Sequence, residues 1–146
     1  MRALLKFVGL SNADRILIIR SAAVLAGIWI GLRIFPFGRV LEAVDTFSSV
    51  SRLKNNSLWH QDKIVWAVLA ISRYSPLTPS CLEQALAAKI TLGREGYPAV
   101  VRIGVAPGKG GQLRAHAWLE SNGEIIIGYK GAEDFCPLPC FDRGQN

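Results

Sequence analysis

Apolar positions in the first half of the chain recur at helical spacing, and those in the second half alternate. Ser11 or Asn12 can cap a helix that runs to about Ile34 and is closed by Pro36. Val40, Leu41, Val44 and Phe47 predict a second helix to about Leu53. Ile64, Val65, Val68 and Leu69 form the buried stripe of a third. The prolines of "YSPLTPS" break that helix. "PSCLEQALAAK" then opens a fourth, ending near Gly96 as a glycine C-cap, with Leu82, Ala85, Leu86 and Ile90 as its buried face. Beyond it the period changes to two. Val101, Ile103 and Val105 face one way and Val100, Arg102 and Gly104 the other. Residues 107–112 make a flexible loop. In "LRAHAWLE", Leu113, Ala115, Ala117 and Leu119 form an apolar face opposite Arg114, His116, Trp118 and Glu120. Asn122-Gly123 supplies a hairpin turn, and "EIIIGYK" is the returning strand. Helices followed by an antiparallel sheet predict an α+β fold rather than a parallel α/β one. We expect one domain over 1–146, with an apolar helical half (1–73) and a second half (79–146) that holds the fourth helix and the sheet.

Composition narrows the function classes. Half of the 146 residues are apolar, enough for one core. The formal charge of +6 is dispersed, without a dense basic run interleaved with aromatics, which argues against a nucleic-acid groove. Three cysteines do not make a disulfide framework, so a reducing cytoplasm is the expected compartment. Cys136 and Cys140 would need two further ligands for zinc. Only His60 and His116 are available, so neither metal nor cofactor is expected. The apolar stretch 16–37 is interrupted by Arg20 and Arg33, leaving a clean run of residues 21–32. A spanning helix wants about 20. A buried core helix is the favoured reading, and an interfacial helix on a membrane is the alternative.

Chemistry concentrates at two positions. Ser80 and Glu83 form an S-x-x-E capping box, which places Cys81 in the first helical turn; a Thr78 cap with Pro79 following gives the same placement. Unpaired N–H groups at a helix N-terminus favour thiolate and can hold an oxyanion. The capping role is sufficient to explain Glu83. Of the two histidines, His60 reads as a surface or capping residue at the start of the third helix. His116 lies mid-strand on the mixed face, where a structural role and a catalytic one are equally served. A first-turn cysteine followed by a strand histidine suits a thiolate–imidazolium pair. Trp118 shares the histidine's face and suits either a substrate wall or packing against the N-terminal helices. Glu120 reads as a solvated strand-end charge.

The stretch "CLEQALAAKITLGREGYPAVVRIGVA…LRAHAWLESNGEIIIG" resembles the transglutaminase-like cysteine peptidases of lasso-peptide biosynthesis, the leader-removing B proteins. The resemblance covers residues 79–128. It also takes in the apolar helical N-terminal half with its "FPFGR". It implies a transglutaminase/papain-like core with Cys81 as nucleophile and His116 as general base. The chain is similar to a stand-alone peptidase half, which implies a precursor peptide as substrate, a separate leader-binding domain protein, and an ATP-dependent lasso cyclase. The family commonly has Thr next to last before the cut. It often has an Asp on the strand after the histidine, where this sequence has Gly128. A tight Asn122-Gly123 turn places Gly128 or Tyr129 opposite His116. Glu120, about 13 Å along the strand, Glu133, Asp134, a backbone carbonyl or a water are the remaining orienting groups. Two rival readings are a transglutaminase-like acyltransferase, in which an amine resolves the thioester, and a non-catalytic scaffold that holds a partner or membrane through the apolar helices and leaves Cys81 inert.

Overall fold

A computed structural model describes residues 8–49 and 58–138 of the chain. Four helices precede a small sheet: α1 (Asn12–Ile34), α2 (Phe37–Ser49), α3 (Gln61–Tyr74), α4 (Cys81–Arg94), then β1 (Val100–Pro107), β2 (Leu113–Ser121), β3 (Glu124–Ile127), a 3-10 turn (Ala132–Asp134) and β4 (Cys136–Pro137). The sheet is antiparallel in the order β3-β2-β1-β4. The α+β architecture expected from the change of period is therefore the one found. Residues 50–53, the expected end of the second helix, and Cys140 lie outside the described residues.

The central element is α4. Its helix is buried almost all round, with Ala85, Leu86, Ala87, Ala88 and Leu92 fully covered, so the apolar side is broader than the four-residue stripe expected. The run of alanines permits this, because small side chains let α1, α2 and α3 all approach one helix. Gly93 marks the tightest crossing. A Cβ there would lie 2.7 Å from the Cβ of Ser48 on α2 and 2.8 Å from its Cα. The helix ends in a Schellman motif: Tyr97 N–H donates to the Leu92 carbonyl at 3.0 Å and Gly96 N–H to Gly93 at 3.1 Å, with Gly96 at φ +86°. The expected glycine C-cap is in place.

Ser11 caps α1 by accepting from Asp14 N–H. Leu17, Ile18, Ser21, Leu25 and Ile28 are its buried residues. By length and composition this helix is apolar enough to cross a membrane. Its two interrupting arginines are used inside the fold. Arg20 pairs with Glu95 at the end of α4, and Arg33 pairs with Glu83 in the first turn of α4, both at 3.2 Å. The two helices therefore run antiparallel and are tied at both ends. The core reading of α1 is met on one side only, because Ile16, Ile19, Ile30 and Ile34 are exposed. Leu69 and Phe47, both expected inside, are also exposed. Ala67 takes the buried place on α3, and Phe47 lies one turn beyond Val44, the last buried residue of α2.

The sheet packs one face on the helices, through Val101, Leu119 and Ile127. Leu113, expected on that face, is exposed together with Ala115, because the β1–β2 hairpin outruns the helical layer. The β2–β3 turn has Asn122 at φ +51° and Gly123 at φ +82°, the two positive angles a type I′ turn demands.

Candidate active site

The approach to α4 is strained. Thr78 has φ +42°, an uncommon angle for a β-branched residue, and the chain turns there into Pro79 and the helix. Ser80 then caps α4. Its Oγ accepts from Glu83 N–H at 3.4 Å, and its own N–H donates to Glu83 Oε2 at 2.6 Å, completing the expected capping box. Gln84 Nε2 donates to the Pro79 carbonyl, fixing the entering loop. Glu83 does more than cap. Its other oxygen, Oε1, accepts from Arg33, and the side chain is buried. Cys81 is the first residue of the helix, with a free, exposed thiol. The box engages the N–H of Glu83 and leaves those of Cys81 and Leu82 without a hydrogen-bond partner among the described residues. Two unengaged donors beside an exposed sulfur at the positive end of a helix can receive an oxyanion.

His116 is half-buried on β2. Its Nε2 lies 2.9 Å from the Gly128 carbonyl oxygen. A carbonyl only accepts, so Nε2 is the donor in this contact and Nδ1 is the ring nitrogen left for other partners. Nδ1 has no hydrogen-bond partner among the described residues. Gly128 thus orients the imidazole through its main chain. A β-bulge between Leu119 and Glu120 shifts the β2–β3 register and sets Gly128 beside Ala117 and Trp118, with φ +84°. A Cβ there would lie 2.8 Å from the Ala117 carbonyl oxygen and 3.0 Å from the Trp118 Cβ, so the position has no room for an aspartate.

The other orienting candidates do not reach the histidine. Glu120 is not a solvated end charge: it accepts from Trp118 Nε1 at 2.8 Å and from Arg102 Nε at 3.2 Å. Glu133 and Asp134 are exposed on the 3-10 turn. Trp118 is buried, but not against the N-terminal helices. Its indole lies over Gly104 of β1, where a Cβ would come within 2.8 Å of the ring. Phe135 approaches the His116 ring at 5.3 Å and Trp118 at 6.2 Å, so the imidazole is set among aromatics on the sheet face away from Leu119. Phe135 was not among the residues that spacing singled out. Its position against His116 depends on β4 returning to pair with β1.

Cys81 opens α4 in the helical layer, whereas His116 lies on the sheet face opposite the one that packs on the helices, and no hydrogen bond among the described residues joins them. His60 is the N-cap residue of α3 and makes no side-chain capping bond. Among the described residues no group of three or more metal-ligating side chains occurs, and Cys136 is a free thiol on β4.

Comparison with known proteins gives one finding. The family model described as "Transglutaminase-like superfamily" matches residues 24–140. Neither curated proteins nor solved structures yield a match.

Proposed function

The chain belongs to the transglutaminase-like superfamily, and on that footing we propose that it is a cysteine peptidase that removes the leader from a ribosomally made lasso-peptide precursor. Membership carries the general chemistry, attack by a cysteine on an acyl carbon. The observation that supports a cysteine nucleophile is Cys81, exposed as the first residue of a capped helix with two unengaged N–H groups beside it; the precursor as substrate follows from the resemblance of residues 79–128.

The thiolate of Cys81 attacks the carbonyl at the leader–core junction, and the N–H groups of Cys81 and Leu82 receive the developing oxyanion. Nδ1 of His116 takes the thiol proton and delivers it to the departing amine as the C–N bond breaks, freeing the core. The same nitrogen then accepts a proton from water, which cleaves the thioester and releases the leader with a new carboxylate. The Gly128 carbonyl holds the ring through Nε2 in both half-reactions. The Cys81–His116 contact is absent from this structure, and precursor binding must bring the sulfur round to the face of the sheet that carries the imidazole. A separate leader-binding domain supplies local concentration of the precursor, and a lasso cyclase consumes the freed core. The setting is the cytoplasm, in keeping with free Cys81 and Cys136.

Incubation of the chain with a candidate precursor and leader-binding domain, read by mass spectrometry, tests the proposal. Wild type should release leader and core with free termini, and Cys81→Ala and His116→Ala should not. Unchanged cleavage by either variant refutes the dyad. A crosslinked or amidated product moves the assignment to acyl transfer.

A further inference from the structure

A groove of about 560 Å³ lies between α1 and α2, away from the thiol. That volume falls in the range of ligand sites. Gly27, Gly31, Val40 and Ile90 contribute to its lining, and the half-exposed Phe35 and Phe47 stand on its sides. A Cβ added at Gly27 would meet nothing within 4 Å, and one at Gly31 only Val40 at 3.8 Å. The glycines, one helical turn apart, thus leave a floor on which another backbone can settle closely. Two cations border this apolar floor, Arg39 from the first turn of α2 and Arg94 from the last turn of α4. Neither has an ion-pair partner among the described residues. Asp45 pairs with Lys89, Glu83 with Arg33 and Glu95 with Arg20, and Glu42, three residues from Arg39 on α2, is not free either.

The groove also has a direction. It follows the C-terminal half of α1 from Val24 to Phe35. Phe35 is two residues beyond Arg33, which holds Glu83, itself two residues from Cys81. From Cys81 to Arg94 is 94 − 81 = 13 residues of helix, or about 20 Å. About six extended residues span that distance.

We propose that this groove is an exosite for an acidic, apolar-faced helical segment of the peptide substrate, upstream of the scissile bond; the proposal rests on the peptidase reading. Two cations on different helices match carboxylates spaced along a peptide rather than a single headgroup. The excess positive charge of the chain, +6, opposes a second copy of itself.

Binding is measured on Cys81→Ala protein, so that turnover plays no part. The probe is a fluorescent peptide of about 16 residues, long enough for four turns, with Leu at helical spacing and Glu on both flanks. We expect saturable binding that weakens at least about tenfold in Arg39→Glu/Arg94→Glu and in Gly27→Leu, and that is lost when the Glu residues are replaced by Lys. Gly27→Leu fills open space on a helix, so its circular dichroism and Tm should match those of the parent and exclude unfolding as the cause. Equal binding of the Lys peptide, or unchanged affinity in both variants, overturns the exosite. So does peptide-independent binding of phosphatidylglycerol vesicles that the same variants abolish, which would assign the face to a membrane. The two readings separate when the Glu segment is placed upstream of a cleavable junction and given to wild type. Groove-dependent binding without hydrolysis sinks the peptidase and leaves the exosite. Hydrolysis indifferent to the segment and to Gly27→Leu sinks the exosite and leaves the peptidase.

Discussion

Installing the carboxylate that the resemblance to lasso-peptide B proteins would call for, by Gly128→Asp, should damage this protein rather than improve it. Two costs add. Gly128 has φ +84°, where an L-residue pays about 1–2 kcal/mol; aspartate, tolerant of such angles, falls at the low end. The new Cβ would sit 2.8 Å from a carbonyl oxygen and 3.0–3.1 Å from Trp118 Cβ and Cα. Two of those three atoms are main chain, so the relief must come from the hairpin itself, at about 1–3 kcal/mol as for other overpacked sites. The sum is about 2–4 kcal/mol, or a Tm lower by roughly 6–16 °C for a chain of this length. Urea unfolding of wild type, Gly128→Ala and Gly128→Asp measures it. The alanine variant should already show most of the loss, because the conflict begins at Cβ. Moving the hairpin also moves the carbonyl that holds His116 Nε2 at 2.9 Å, so precursor cleavage should fall in both variants. A stable Gly128→Asp protein with equal or higher activity would show that the main-chain orienter is the wrong description of this site.

Three further outcomes follow from close contacts elsewhere. Gly93→Ala, a change that favours an isolated helix by about 1 kcal/mol, should instead destabilise by about 2–3 kcal/mol, since the methyl meets Ser48 Cβ and Cα at 2.7 and 2.8 Å; a raised denaturation midpoint refutes the tight α2–α4 crossing. Glu83→Ala removes half of the capping box and the partner of Arg33, at about 1–2 kcal/mol, while Glu83→Gln keeps the box and should lose less; equal losses in urea would mean the cap contributes nothing. Gly104→Ala puts a methyl 2.8 Å from the Trp118 ring and from Phe135 Cβ, and should cost about 1–3 kcal/mol and shift the near-ultraviolet dichroism; an unaltered spectrum would show that the indole does not lie over this residue.

What could be read without coordinates was whatever a local pattern enforces. The capping box of α4, the glycine that ends it, and the Asn122-Gly123 turn each depend on a few adjacent residues, and each formed as expected. The same turn brought Gly128 to the vicinity of His116, and the carbonyl alternative to the missing aspartate is the one observed. Features that depend on distant partners were not legible. Nothing local announces that Arg33 and Glu83, 50 residues apart, share a bond. Trp118 could be placed on a face by alternation. What covers that face depends on Gly104 and Phe135, which meet it only after β1 and β4 have paired. Leu113, Leu69 and Phe47 follow the apolar period and yet stand in solvent, because a period says which side of an element is apolar and not how far the neighbouring layer extends. The bulge after Leu119 likewise shifts a register that simple counting from the turn would carry through.

The ties between α1 and α4 set a timetable for synthesis. The carboxylate that Arg33 needs lies 50 residues further along the chain, and the one that Arg20 needs lies 75 residues further. At roughly 5–20 residues per second, about 3–15 s pass between the appearance of the arginines and that of their partners. For that interval the 23-residue apolar helix has only α2 and α3 to pack against. Until α4 arrives, α1 keeps the length and composition of a membrane-crossing helix with its two arginines unengaged by Glu83 and Glu95. Slowing elongation between residues 34 and 83 should therefore raise the share of the chain that aggregates or pellets with membranes, read by fractionation of the product.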